Sequence, residues 1–576
     1  MAVWVFVQLW SNPSSATEAV PVITNSGFNL SVVELVHRVL QRNDSLQEKL
    51  LTLQANRHKY LAEKGIFEPE AFASADREVN KRQNNTLQAA AANNVSELEE
   101  TNTAYNGGLE ASLFSGARVK LGYNLSDLRN NVPIQFQSLG ISSTVGDQWQ
   151  TFFGLTITQP LLKNFGPAAT MAAIRVSALS SKIAFQEYRR ELLTLVSSAE
   201  ATYWNLYLAQ EQVHLFEESV KTAGTILRDN QTRLEAGKGS ALDVLEARAG
   251  LGLRQAKLEE ARQKLVEAAN RVLSLYAETA SLTNPPVHAV DSPAPRADTP
   301  NYQELGRKAF ELNPDYLIQQ EKMEQERVRL GFARNQILPE VNLKGAYGLN
   351  GLGATPGDSW GNVSRSHYPS WSVGLEFRMP IIGGMKARNE LNAALLTVQA
   401  SELALRSLET QMLNGMDSAW HKALSTRRSV ENYRETVKYN ESLMEASLVR
   451  LDAGKIESRK VLEIEADLLE ARNSVAESLV RDEIAHLELE VIEGVLLQQR
   501  NLEITQKQLE AVTRKFSHSA VGDAKYRSAM EDIQRLYQDA GRPDDAPSGN
   551  PESLLRRKLK EQTQEADMRD ERNAKP

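Results

Sequence analysis

The sequence predicts a mainly α-helical chain, duplicated within itself, whose few β-strands are patterned to form a barrel in a membrane. Three observations lead there. The stretch RLEAGKGSALDVLEAR at 233–248 returns 217 residues later as RLDAGKIESRKVLEIE at 450–465, with eight of sixteen positions identical and no gap. Aromatic residues make up only 6% of the 576 residues while Ala, Leu, Glu, Gln and Arg abound, a composition of long helices rather than of several globular domains. Short segments of apolar–polar alternation precede each long helical stretch, and alternation of that kind gives a strand one apolar and one polar face. No run of 18 or more apolar residues occurs, so a membrane role would fall to strands rather than to a helical span.

The duplication extends beyond the two sixteen-residue stretches. At an offset of 220, Gly154, Leu155 and Pro160 correspond to Gly374, Leu375 and Pro380; at an offset of 270, Leu35, Arg57, Pro69 and Glu70 correspond to Leu305, Arg327, Pro339 and Glu340. The chain is therefore two copies of a unit of about 200 residues. The fall in offset leaves the first copy with about 50 extra residues near 84–133. The organisation that follows is an N-terminal extension or signal remnant at 1–27, a first repeat at 28–283, a proline-rich linker at 284–300, a second repeat at 301–516, and a charged tail at 517–576 whose composition predicts disorder. Residues 2–9 (AVWVFVQL) resemble the back half of a secretory signal, although no Lys or Arg precedes them.

Several functions are set aside by composition. A net charge of −8 without a long basic run cannot neutralise a phosphate backbone, so nucleic acid is not an expected partner. Without cysteine there is no disulfide, thiol nucleophile or Cys-ligated metal. The eight histidines, His37, His58, His214, His288, His367, His421, His486 and His518, show no ligand spacing, and no phosphate loop or nucleophile elbow is present. No catalytic residue, metal or cofactor is expected.

Each repeat opens with a broken helix pair. Leu35, Val36, Val39, Leu40, Leu46, Leu50 and Leu53 follow a helical period that Asn43-Asp44-Ser45 interrupts, and Asn313-Pro314-Asp315 interrupts the second copy at the same place. Strands come next. Val341, Leu343, Tyr347 and Leu349 alternate with polar or small residues over 340–350; Trp371, Val373, Leu375, Phe377 and Met379 do so over 371–380. In the first repeat Phe153, Leu155 and Ile157 alternate clearly, and the piece after Pro69 only weakly. The insertion adds Leu109, Ala111 and Leu113, a turn at Ser115-Gly116, then Val119, Leu121, Tyr123 and Leu125, a hairpin that lengthens the barrel strands or forms a surface loop. Trp149, Phe152, Phe153, Trp360, Tyr368 and Trp371 stand where interfacial aromatic girdles would. Pro160 and Pro380 end the strands and suit the first turn of the following helix.

The helical stretches from Pro160 to Gly237 and from Pro380 to Gly454 cover 77 and 74 residues, roughly 110 Å each if helical throughout. Glycine at 237 and 454 can take the left-handed conformation that ends a helix, so each Ala-Gly-Lys is the turn of a helical hairpin. Beyond each turn runs a heptad: Val244, Leu251, Leu258, Leu265 and Val272 with Ala247, Ala261, Ala268 and Leu275; and Val461, Leu468, Val475, Leu489 and Leu496 with Ile464, Ala471, Ala485 and Ile492, interrupted at Asp482. Sustained seven-residue spacing means coiled-coil packing and predicts association.

Two copies of helix, strand, strand, long helix, glycine turn and long helix, joined by a linker, resemble the TolC-like outer-membrane efflux channel family over roughly residues 28–500. The most specific stretches are LPEVNL at 338–343, VGLEFRMPIIGGM at 373–385, and the two Ala-Gly-Lys turns with DVLE at 243–246 and VLE at 461–463. The resemblance implies a homotrimer in outer-membrane lipid, with four strands per chain closing a twelve-stranded barrel that continues as an α-helical coiled-coil tunnel into the bacterial periplasm. It implies that Arg233, Leu234, Gly237, Lys238, Arg450, Leu451, Gly454 and Lys455 dock a periplasmic membrane-fusion adaptor, and through it an inner-membrane pump of the RND, ABC or MFS type. It also implies a pore constriction at Asp243, Glu246, Lys460 and Glu463, six and nine residues after each glycine. Lys460 departs from the family's acidic pattern; a Lys–Glu pair holding the tip shut between chains, and released by salt or acid, is the expectation. The implied function is a passive exit duct for tripartite efflux or type I secretion. The alternative is a soluble coiled-coil scaffold or a periplasmic adaptor, against which stand the two hairpins and the amphipathic strands.

Overall fold

The computed structural model describes residues 28–91, 95–131, 133–136, 141–144, 148–276, 287–294, 301–505 and 509. The expected N-terminal extension, the charged tail and part of the linker lie outside the described residues. In chain order the first repeat comprises β1 (Phe28–Leu30), α1 (Val32–Arg42), α2 (Asp44–Lys64), β2 (Glu70–Gln83), α3 (Thr86–Ala91), β3 (Glu97–Ser112), β4 (Arg118–Asn130), β5 (Pro133–Phe136), β6 (Ile141–Thr144), β7 (Gln148–Pro160), α4 (Pro167–Thr170), α5 (Ala172–Glu235) and α6 (Ala241–Ser274). The linker holds β8 (Val287–Ala289). The second repeat comprises α7 (Tyr302–Leu312), α8 (Pro314–Gln336), β9 (Glu340–Gly353), α9 (Pro356–Ser364), β10 (Pro369–Arg378), α10 (Met385–Asp452), α11 (Ser458–Glu493) and α12 (Leu496–Gln499).

The broken helix pairs form as the capping residues dictate. Ser31 accepts from the Glu34 amide at the start of α1, and Asn43, in extended conformation, separates α1 from α2. Asn313 does the same between α7 and α8, its side chain accepting from the amides of Asp315 and Tyr316 while Pro314 occupies the first helical position.

Contacts divide the chain into two units, one made of residues 1–43, 196–299 and 422–487, the other of 44–195, 300–421 and 488–576. The second unit contains an antiparallel sheet of six long strands in the order β10-β9-β7-β4-β3-β2. Six replaces the four strands per chain that the family pattern implies. The difference lies in the inserted residues: they supply β3 and β4, which pair with each other and stand between β2 and β7. The turn of this hairpin is held at its base, where the Ser115 hydroxyl bonds Gln159 at 2.8 Å and the Gly166 amide donates to the Ser115 carbonyl at 3.0 Å.

Pro160 is the final residue of β7 and Pro380 follows β10, so both close a strand, where a missing amide donor costs nothing. Neither opens a helix, contrary to expectation. The main helices start only at Ala172 and Met385. The chain first turns at Gly166 (φ 83°) in one repeat and at Gly383 and Gly384 (φ 70° and 62°) in the other, and proline's fixed φ cannot make that turn.

The helix α9 folds back onto the sheet, where Ser359 bonds Thr151 at 2.6 Å and Trp360 meets the rings of Tyr123 and Phe153 edge-on. Of the expected girdle residues, Trp371 and Tyr368 are exposed. Phe152 lies on the opposite, polar face, its ring packed over the backbone of Gly154 and Gly348; it belongs to no girdle.

In the first unit the terminal halves of α5 and α10 pack with α6 and α11. Ala223, Ile226, Ala247, Met444, Leu451, Val461, Leu462, Ile464 and Leu468 form a buried cluster drawn from all four helices. The heptad positions Ala247, Ala261, Val272, Val461, Ile464 and Ala485 are buried, and alanine among them lets helices approach closely. Asp482, which breaks the second heptad, is itself buried and accepts from the Thr426 hydroxyl at 3.0 Å.

Candidate functional site

The two glycine turns are the same structure built twice. In the first, the Lys238 amide donates to the Arg233 carbonyl at 2.8 Å and the Gly237 amide to the Leu234 carbonyl at 3.0 Å; in the second, Lys455 donates to Arg450 at 2.8 Å and Gly454 to Leu451 at 3.0 Å. These 6→1 and 5→2 bonds, around glycines at φ 71° and 68°, define a Schellman helix end. Ser240 then opens α6 with a reciprocal capping box, accepting from Leu242 while Asp243 accepts from the Ser240 amide at 3.1 Å.

The two hairpins are joined just beneath the turns. Ser458, at the start of α11, donates to the Asn230 side chain of α5 at 2.7 Å, and Asn230 in turn donates to the Asp243 carbonyl at 3.3 Å. Gly237, Lys238, Gly454 and Lys455 are exposed. The corresponding leucines differ: Leu234 is 39% exposed, whereas Leu451 is 4% exposed and supports its turn from the core.

The four residues expected at the constriction divide into two kinds. Asp243 is committed to the cap of α6, and Glu246 lies half-buried one helical turn further on. Lys460 and Glu463 are exposed and bound to each other within α11 at 2.9 Å, with Arg459 also 3.4 Å from Glu463. Within one chain these charges thus meet inside a single helix. The hydrogen bond and charge of the pair raise the Lys460 pKa above the usual lysine value and hold the Glu463 carboxyl below the usual carboxylate range.

Sequence reasoning passed over a buried ion pair in the same helices. Arg254 occupies the heptad position between Ala247 and Ala261 and is nearly inaccessible. Its guanidinium grips the equally buried Glu465 with both Nε, at 2.7 Å, and Nη2, which also donates to the Leu462 carbonyl at 2.9 Å. The Ser219 hydroxyl donates to the other Glu465 oxygen at 2.5 Å. The only trace in sequence is an arginine breaking a row of alanines at seven-residue spacing, a position ordinarily read as a solvated face.

The sheet supplies the second functional surface. On β10, Trp371, Val373, Leu375 and Phe377 are each more than 60% exposed and project from one face, while on the other face Glu376 pairs with Lys344 of β9 at 2.8 Å. A broad exposed apolar face on an antiparallel sheet with two free edges is stable in lipid once the edges are closed. The sequence model of the family described as outer membrane efflux protein matches residues 35–278 and 305–495. The chain belongs to this family.

Solved structures agree on the fold of this outer-membrane efflux protein. It is similar to the CmeC outer membrane channel of Campylobacter jejuni (16% identity, 85% of this chain and 93% of that one, TM-score 0.55) and to the MtrE outer membrane channel of Neisseria gonorrhoeae in its open state (15% identity, 80% and 88%, TM-score 0.52). It is likewise similar to CusC, whose structures describe transmembrane channel formation (14% identity, 84% and 99%, TM-score 0.56). No curated protein sequence matches the chain significantly. Membership places the protein in the outer membrane, extending into the periplasm, as an efflux duct in a family of channel proteins. The soluble scaffold and the single-hairpin adaptor are thereby set aside.

Proposed function

We propose that this efflux protein receives its cargo at the two glycine turns, where Arg233, Leu234, Gly237 and Lys238 of one hairpin and Arg450, Gly454 and Lys455 of the other dock a periplasmic membrane-fusion adaptor that brings an inner-membrane pump. The observation carrying this reading is the pair of matching Schellman turns, tied side by side by Ser458 and Asn230, with exposed cationic residues at each tip. Function, rather than helix termination alone, accounts for keeping Arg-Leu-acid-Ala-Gly-Lys in both copies when many sequences can end a helix. Photo-crosslinking from Lys238 and from Lys455 in living cells tests it. Capture of a coiled-coil adaptor from both positions is expected; capture from neither overturns the docking assignment. The adaptor so identified fixes the pump class, whether RND, ABC or MFS, and separates efflux from type I secretion.

The same proposal places the pore constriction among Asp243, Glu246, Lys460 and Glu463. Glu463 is held ionised by Lys460 and Arg459 of its own helix, so these exposed tip charges persist down to below the usual carboxylate range, and the hold they exert on a neighbouring chain is weakened by salt at any pH. Single-channel recording of the trimer should show open probability rising with ionic strength at neutral pH. A flat response would remove Lys460 and Glu463 from the gate.

A further inference from the structure

We infer that the inserted hairpin is part of the barrel wall, so that three chains close eighteen strands rather than twelve around a correspondingly wider lumen; this rests on the outer-membrane reading and concerns the size of solute the barrel can pass. The first support is register. One row of paired residues runs unbroken across all six strands as Trp371, Tyr347, Leu155, Leu121, Leu109 and Ala71. The row beneath, Val373, Gly345, Ile157, Val119 and Ala111, is equally free of charge. The inserted strands thus present the same apolar face, at the same height, as the strands on either side. A hairpin destined for water has no reason to match them.

The opposite face agrees. Gly348, Gly154, Gly122 and Gly108 are register partners across β9, β7, β4 and β3, so a side-chain-free line crosses original and inserted strands alike. At Gly108 a Cβ would lie 2.2 Å from the Leu121 carbonyl oxygen and 2.8 Å from the Phe72 ring, and at Gly348 it would lie 2.4 Å from the Phe152 ring. Glycine lines of this kind let a sheet curl toward the face that lacks side chains, and aromatic rings covering them restore the lost packing. Around this line the face is polar: Glu110 is the register partner of Lys120, and Lys344 pairs with Glu376. A sheet curling toward its polar face, with its apolar face outward, is curved as a lipid-embedded barrel requires.

Connectivity leaves no way to close the ring without the hairpin. β2 does not pair with β7; eleven residue pairs join β4 to β7 and fourteen join β2 to β3. Removing β3 and β4 from the wall would mean breaking both ladders. The five antiparallel pairings also leave β2 and β10, the two free edges, running in opposite directions. β10 of one chain can therefore pair antiparallel with β2 of a second copy, and so on around the ring. With strands about 4.8 Å apart and tilted by roughly 40°, a twelve-stranded barrel measures about 24 Å across its backbone and an eighteen-stranded one about 36 Å, more than doubling the enclosed area.

Single-cysteine labelling of the full-length trimer in outer membranes tests this, since the chain has no cysteine of its own. Leu109→Cys and Leu121→Cys should face lipid, Glu110→Cys and Lys120→Cys the lumen, and Leu155→Cys and Val373→Cys serve as lipid-facing controls on the other strands. A charged, membrane-impermeant maleimide should label the lumen pair at least about tenfold faster than Leu109→Cys and Leu121→Cys, because each unit by which apolar surroundings raise a thiol pKa removes nine-tenths of its thiolate. Equal, fast labelling of all four hairpin positions with both controls protected would put the hairpin in water and overturn the inference alone. Fast labelling of the controls as well would overturn the membrane reading beneath it. End-on electron micrographs of the wild-type trimer give an independent measure: a ring near 36 Å supports eighteen strands, and one near 24 Å refutes them.

Discussion

Substituting Glu465 by Gln isolates the contribution of the buried ion pair. Arg254 and Glu465 are 7% and 6% exposed, and the guanidinium directs two donors at the carboxylate while Ser219 supplies a third. Glutamine keeps the volume and one acceptor oxygen but strands the arginine charge inside four packed helices. Leaving one member of a buried pair without its counter-charge costs about 3–5 kcal/mol. Because two-state unfolding is a property of small single domains, the readout is hydrogen exchange at amides of α6 and α11 near residues 250–258 and 461–469, which reports local opening. A loss of about 3 kcal/mol in opening free energy corresponds to exchange roughly a hundredfold faster or more. The double variant Arg254→Met with Glu465→Leu removes both charges at similar volume and should recover most of that loss. If Glu465→Gln shifts the opening by less than about 1 kcal/mol, or if the double variant is no better than the single, the pair does not hold the hairpins together.

Three further outcomes follow from local geometry. Gly237→Ala and Gly454→Ala should each cost about 1–2 kcal/mol through backbone strain alone, since both glycines have positive φ and nothing lies within 4 Å of an added Cβ; thermal melts that leave Gly454→Ala unshifted while Gly454→Val is also tolerated would contradict the Schellman assignment. Tyr203, fully buried, accepts from the amides of Val290 and Asp291 at 3.0 and 2.9 Å, and its phenol is pushed up to about 12, chiefly by burial; Tyr203→Phe should free the linker strand β8 from β1, at a cost of about 1–3 kcal/mol, visible as faster exchange at 287–291. Burial also raises the Glu493 carboxyl, partly offset by Lys308. An acid whose folded pKa is raised destabilises the fold increasingly as pH climbs from the unfolded value through the folded one, so Glu493→Gln should raise the melting temperature at pH 7 and leave it unchanged at pH 3; the reverse dependence would refute the shift.

The parts of this molecule legible in its sequence are those where one physical rule acts alone. The glycine turns were readable because a left-handed residue between two helical periods has few substitutes, and β7, β9 and β10 because large apolar residues alternate cleanly. β2 was nearly silent: the face it shares with Leu109 carries Ala71, Ala73, Ala75, Arg77 and Val79, with little apolar volume to mark it. Its place in the sheet is fixed by pairing with β3 over the whole of its length, a long-range fact that local alternation does not carry. Arg254 and Glu465 were hidden for a related reason. Charged residues 211 positions apart disclose nothing of each other until four helices bring them together, and the average behaviour of charge points to solvent. Lys460 and Glu463 needed only helical spacing to meet, and the three-residue separation between them in the sequence already carries that contact.

The attachment of the inserted hairpin bears on how such a protein can change. The strand ends at Gln83, Glu97, Asn130 and Gln148 lie together at one end of the sheet, while the hairpin's own turn at 113–117 rests, at the other end, against the passage from β7 into α4. Excising it would remove α3 and join two strands that already run in opposite senses, with the long helices untouched. A lineage can therefore acquire or discard two staves per subunit in a single genetic event while the two long hairpins and their glycine turns keep their sequence.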